Sequence, residues 1–230
     1  MFYYYDSTYI LVLIGLVITM IASANVKNTF SKYQKVKSKR QKSGLDVANY
    51  ILKTNNYNDI SIKKTAGSLS DYYNPATKQV ALSDSTMNDT SVAAIAVAAH
   101  ECGHVIQYKE GYFPIKIKAW ILPIVNFGSR MSIPLIFLGI IMSYNKTLID
   151  LGILLFSFVL IFQIVTLPIE FDASRRALKV LDNSGILDSQ EMVYATKVLK
   201  AAALTYVAAV LSTALQFLRL ILIFGGRRRD

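Results

Sequence analysis

Val92-Ala93-Ala94-Ile95-Ala96-Val97-Ala98-Ala99-His100-Glu101-Cys102-Gly103-His104-Val105-Ile106-Gln107-Tyr108 is the stretch from which the rest of the chain is read. It is rich in Ala and Val and follows the N-cap candidates Asn88-Asp89-Thr90-Ser91. Gly111 and Pro114 stop it, so the pattern predicts a helix over 92–108. His100 and His104 are four residues apart, so a helix stacks both imidazoles on one face. The whole histidine content of the chain is spent there. Two imidazoles and a carboxylate are costly to bury in an otherwise apolar helix unless they do something. At this spacing two ring nitrogens converge on one Zn2+. Glu101, one residue round the turn, is placed to take a proton from the attacking water and give it to a leaving amine.

A catalytic zinc takes three protein ligands and keeps one position open. There is no third histidine, and Cys102 points away from the histidine face, so the third ligand is expected to be an acid. Glu170, in Pro168-Ile169-Glu170-Phe171-Asp172-Ala173-Ser174-Arg175-Arg176, is the first candidate and Asp172 the rival. Ala98, Ala99 and Gly103 are small and leave room for another element to come close.

Hydrophobic residues make up 53% of the chain and charged ones only 17%, and the apolar residues are clustered. That balance indicates a membrane protein rather than a soluble one. The net charge is +10, and the densest basic run, Lys27 to Lys42, carries no acid and directly follows an apolar segment. Its placement favours a juxtamembrane role over nucleic-acid binding. The single cysteine excludes an intramolecular disulfide.

Four apolar runs are long enough to cross a bilayer as helices. Tyr9–Ala24 comes first, with Tyr3, Tyr4 and Tyr5 before it as interfacial aromatics. Ala22-Ser23-Ala24 resembles a signal-peptide cleavage site, but Asp6 and no basic residue precede the run, which favours an uncleaved anchor. Ala119–Tyr144 is interrupted by Arg130, a residue that would need a protein or water-filled environment. Leu148–Leu167 follows after the link Asn145–Thr147, read as the tight turn of a helical hairpin. The last run is Ala201–Phe224, whose Arg219 is near enough to an end to snorkel. The positive-inside rule puts 25–118 and 168–200 in the cytoplasm, on one face of the membrane. Arg227, Arg228 and Arg229 run against it and leave open whether the last run fully spans.

Within 25–118, Leu45, Val47, Ala48, Ile51 and Leu52 form a helical apolar face opened by Ser43 and ending near Asn55. A short strand is expected around Ile60–Ile62 and a second over Lys78–Ser83, with Tyr72-Tyr73-Asn74-Pro75 read as turn chemistry.

Several stretches together resemble one bacterial family, the YugP-type membrane zinc metallopeptidases, over nearly the whole length. They are Val97–Gln107, then Gly111-Tyr112 and Pro114, Leu167–Leu178, and Ala201–Ala208. The chain is more distantly similar to HtpX and CAAX-prenyl proteases. Those carry their third zinc ligand as the Glu of a Glu-Phe/Tyr-x-Ala-Asp run after a transmembrane hairpin. Glu170-Phe171-Asp172-Ala173 matches as far as the Ala, and Ser174 stands where that run has Asp, so Asp172 is a candidate for the supporting role. The resemblance implies a gluzincin ligand set and peptide-bond hydrolysis. By analogy with related folds, a substrate strand would pair with Lys78–Ser83 as the sheet edge. Tyr206, or one of Tyr72 and Tyr73, is a candidate donor to the oxyanion, and Arg175 a further candidate beside the site.

The expected fold is a mainly α membrane protein with about four transmembrane helices and a small α+β zincin-like unit. The expected divisions are an anchor over 1–24, a cytoplasmic α+β unit over 25–118, a transmembrane hairpin over 119–167, a cytoplasmic helix over 168–200 and a last transmembrane helix with basic tail over 201–230. The expected function is a plasma-membrane zinc endopeptidase acting on peptide or membrane-protein substrates. The rival is a non-catalytic zinc-binding membrane scaffold, in which a retained Glu101 would have no task.

Overall fold

The computed structural model describes residues 6–225, so Tyr3–Tyr5 and Arg227–Arg229 lie outside the described residues. Six helices and three strands follow in the order α1 (Tyr9–Gln34), α2 (Gly44–Thr54), β1 (Ser61–Thr65), β2 (Tyr72–Asn74), β3 (Gln79–Ser83), α3 (Val92–Lys109), α4 (Phe113–Ile141), α5 (Lys146–Ser184) and α6 (Ser189–Phe224). The protein is mainly α with a small α+β unit, and α1, α4, α5 and α6 are each long and apolar enough to cross a membrane. At about 1.5 Å per residue, α5 and α6 are far longer than a hydrocarbon core of about 30 Å, so both run on past their apolar parts as continuous helix.

The chain divides into two compact units. The first comprises the described part of Met1–Ala22, then Lys116–Leu167, then the described part of Thr205–Asp230. Small residues let its helices come close: a Cβ on Gly152 would run into the Ser132 carbonyl and Ile136, and one on Gly139 into Ile149. The hairpin turn falls at 142–145, with Ser143 and Tyr144 at positive φ, and Lys146 already begins α5. The turn thus sits slightly earlier than the sequence suggested, because Asn145 caps the next helix, its side chain accepting from the Leu148 N–H. Arg219 does not merely snorkel. Its guanidinium pairs with Asp6 at 2.9 Å and stacks over the Tyr9 ring at 4.2 Å, so the end of α6 stands beside the start of α1. Arg130 is exposed on α4.

The second unit comprises Ser23–Ile115 and Pro168–Leu204. Ser43 caps α2 in a reciprocal capping box with Asp46, and the Ser91 side chain caps α3 by accepting from the Ala94 N–H. The Val47, Ala48, Ile51 and Leu52 face of α2 is buried against α3. α3 is buried nearly all round, which is why it reads as Ala and Val rather than as an amphipathic stripe. Pro168 lies within α5 at the boundary between the units, and having no N–H it cannot close the helical bond to the Ile164 carbonyl.

The sheet order is β1-β3-β2, with β1 parallel and β2 antiparallel to β3. This corrects two sequence readings. Tyr72-Tyr73-Asn74 is a short strand, with Tyr73 opposite Val80, rather than only a turn. β3 is therefore the central strand and not the edge offered to a substrate. Val80, Ala81 and Leu82 are all fully buried, the mark of a strand covered on both faces, and alternation alone could not show that both its sides were paired.

Candidate metal centre

α3 and α5 bring the site together. They approach so closely at Gly103 that a Cβ there would overlap the Ala173 carbonyl oxygen. His100, three residues before that crossing, and His104, directly after it, project toward α5 and meet Glu170. His100 Nε2 lies 3.4 Å and His104 Nε2 3.7 Å from Glu170 Oε2. The three candidate ligand atoms all lie within 4.8 Å of one another. The imidazole planes are nearly perpendicular, at 82°, so both nitrogens aim at one point without the rings clashing.

Hydrogen bonding on the far side of each ring holds it in place. His104 Nδ1 meets Gln107 Oε1 at 3.0 Å. The Gln107 amide spends its hydrogens on the Ile169 carbonyl at 2.8 Å and on Asp172 Oδ2 at 2.9 Å. Its oxygen therefore accepts, Nδ1 of His104 carries the proton, and Nε2 is left with a bare lone pair facing Glu170. His100 Nδ1 meets Ser174 Oγ at 3.1 Å.

Glu170 Oε2 is buried and has no hydrogen-bond partner among the described residues. A buried carboxylate oxygen beside two imidazole nitrogens and without a hydrogen-bond partner among the described residues calls for positive charge at that point. A cation at that point satisfies all three atoms at once, and a donor set of two imidazoles and one carboxylate suits zinc. The residues present therefore fit the metal. Burial alone would raise the pKa of Glu170, but the two imidazoles outweigh it and hold the carboxyl well below the usual range. Burial likewise opposes the charge on His104, and the facing Glu170 and Glu101 carboxylates overcome it and raise that pKa.

Glu101 is buried beside the cluster. Burial pushes its pKa up, the two imidazoles pull it back, and the Asp71 and Glu170 carboxylates push it up again, with a net rise. Cys102 is fully buried on the opposite side, its thiol toward the Ala48 carbonyl, and burial raises its pKa so far that it stays an inert thiol.

Asp172 is not among the converging atoms. It is buried and accepts from Gln107, Arg175 and Arg176, and although burial opposes its charge those bonds hold its pKa below normal. Arg175 itself is 77% exposed and reaches Asp172 rather than a histidine. Arg176 also pairs with Glu110 and lies over the Tyr112 ring, which ties the end of α3 to α5. Of the oxyanion candidates, Tyr73 is in β2 with a buried hydroxyl that has no hydrogen-bond partner among the described residues, and Tyr206 belongs to the other unit. Two residues of the site escaped the sequence reading, Gln107 and Ser174 in its role beside His100. The signal for Gln107 was its position one turn past His104 on the same face of an apolar helix.

A family model described as "Putative neutral zinc metallopeptidase" matches residues 8–225. The protein named "Putative membrane protease YugP" from Bacillus subtilis (strain 168) is 40% identical over 209 residues, covering 91% of this chain and 92% of its own. No solved structure matches.

Proposed function

The chain belongs to that family of zinc metallopeptidases, and from this premise we propose that it is a membrane endopeptidase in which His100, His104 and Glu170 hold zinc and Glu101 is the general base. The observation that carries the reading is the convergence of two imidazole nitrogens and one unpartnered carboxylate oxygen, with a second carboxyl buried beside them. Zinc bound there supplies Lewis acidity, making water a nucleophile at neutral pH and the scissile carbonyl a better electrophile. Three protein ligands leave the fourth position open for water and substrate.

The chain's own groups do the rest. Gln107 keeps the proton of His104 on Nδ1, and Ser174 fixes the far nitrogen of His100, so both rings present Nε2 without rearrangement. Glu101 is not among the converging ligand atoms, and it carries no ion pair among the described residues. It takes the proton released by the attacking water and delivers it to the leaving amide nitrogen. Its burial favours the protonated form, which suits the second of those steps.

The same chain carries helices long and apolar enough to cross a membrane, which suits peptide bonds in or near a membrane. The basic run Lys27–Lys42 and the cluster Arg175, Arg176, Lys179, Lys197 and Lys200 support a position on the cytoplasmic face of the plasma membrane.

Glu101→Gln tests the proposal. The purified variant is expected to hold as much zinc as the unsubstituted chain while its cleavage of a membrane-protein reporter falls by about 10²–10⁴-fold. Undiminished cleavage would remove Glu101 from the mechanism.

A further inference from the structure

A cavity of about 380 Å³ lies between α5 and α6 in the second unit. Its walls are almost wholly apolar, with Phe171 and Leu178 from α5 and Leu199 and Leu204 from α6. Ser174, Thr196, Ala203 and two exposed cations, Arg175 and Lys200, complete the lining. Its size is within the range of small-molecule sites.

The order of these residues along the helices is informative. The helices double back through the short connection 185–188, so Arg175 and Lys200 stand at about the same height. Phe171 and Leu204 stand roughly one turn further from the connection, next to Leu167 and Thr205, where the chain passes into its apolar unit. The sequence of environments is apolar at the membrane end and cationic one turn above it. A bilayer has the same order, acyl chains and then phosphate. Arg175 keeps free donors after bonding Asp172, since a guanidinium has five, and Lys200 has three. The polar groups lining the cavity are too few to satisfy a peptide backbone, and one of them, the Ser174 hydroxyl, is already engaged with His100.

We propose that this cavity binds one anionic phospholipid, its acyl chain along Phe171 and Leu204 and its phosphate against Arg175 and Lys200. The site is separate from the zinc ligands and does not depend on hydrolysis. It shares the Ser174 wall with the metal centre, so a bound lipid lies against the residue that steadies His100.

The test uses the full chain in nanodiscs of phosphatidylglycerol and phosphatidylcholine at equal mole fraction. Trp120, on α4, is the single tryptophan, so Phe171→Trp in a Trp120→Phe background places one reporter in the cavity. Bromine on the phosphatidylglycerol chains should quench it with about fivefold higher apparent affinity than bromine on phosphatidylcholine. Lys200→Glu should bring the two lipids to parity. Equal quenching by both lipids, or a preference that survives Lys200→Glu, would overturn the assignment. A second readout avoids the reporter: native mass spectrometry of the unsubstituted chain should show one retained phosphatidylglycerol that Lys200→Glu loses. Equal retention of both lipids would overturn the assignment as well, since another occupant would show no headgroup preference.

Discussion

At the scale of single residues, the site is a set of hydrogen bonds that turn two imidazole nitrogens and one carboxylate oxygen toward one point. The chain Asp172–Gln107–His104 is the clearest case. Gln107 is fully buried, and its amide spends both its donors and its acceptor at once. Such supporting groups typically govern metal affinity by a factor of about 10–100. Gln107→Ala is therefore expected to weaken zinc affinity by about that factor while leaving His100, His104 and Glu170 in place. Competition with a fluorescent chelator measures it, and an unchanged affinity would show that Gln107 merely fills space. Of these residues, the two histidines and Glu101 were legible in the sequence because their spacing is a helical period. Glu170 was legible because a catalytic zinc lacked a ligand and the topology returned an acid to the same side. Gln107 was not, since a buried glutamine has no periodic signature of its own. Ser174 was noticed only as a departure from a related pattern, and the structure places its hydroxyl on His100.

At the scale of elements, the site depends on how closely α3 crosses α5. Gly103 sits at that crossing in ordinary helical conformation, facing the Ala173 backbone. The two effects of Gly103→Ala have opposite signs. Helix propensity alone favours alanine by about 1 kcal/mol. Overpacking at a tight contact costs about 1–3 kcal/mol, and here the obstacle is backbone that cannot rotate away. The crossing predicts that Gly103→Ala lowers the thermal midpoint of the purified protein and reduces its zinc content, with Gly103→Val worse. A raised midpoint would show that the helices can part without cost. The strands teach a different lesson. β1 and β3 were found from their residues, but the place of β3 in the sheet was not, because its second neighbour, Tyr72–Asn74, is three residues long and read as turn chemistry. The apolar parts of the helices were found, but α1, α5 and α6 run on beyond them, while α4 starts earlier than its run and ends sooner, at Ile141. Hydropathy marks where a helix is greasy, whereas α5 and α6 continue as polar-faced helix for several turns beyond that.

At the scale of the whole molecule, the cluster that could hold the metal joins parts of the chain that are distant in sequence. Between His104 and Glu170 the chain completes α4 and most of α5. Oε2 of the carboxylate at the end of that excursion is buried with no hydrogen-bond partner among the described residues, and a cation in front of it would satisfy it. The most direct test is the zinc content, by inductively coupled plasma mass spectrometry, of the full chain and of Glu170→Gln purified side by side in detergent. One zinc per chain in the first and a large loss in the second is the predicted result. No stoichiometric metal in the unsubstituted protein, or undiminished zinc in Glu170→Gln, would contradict the account.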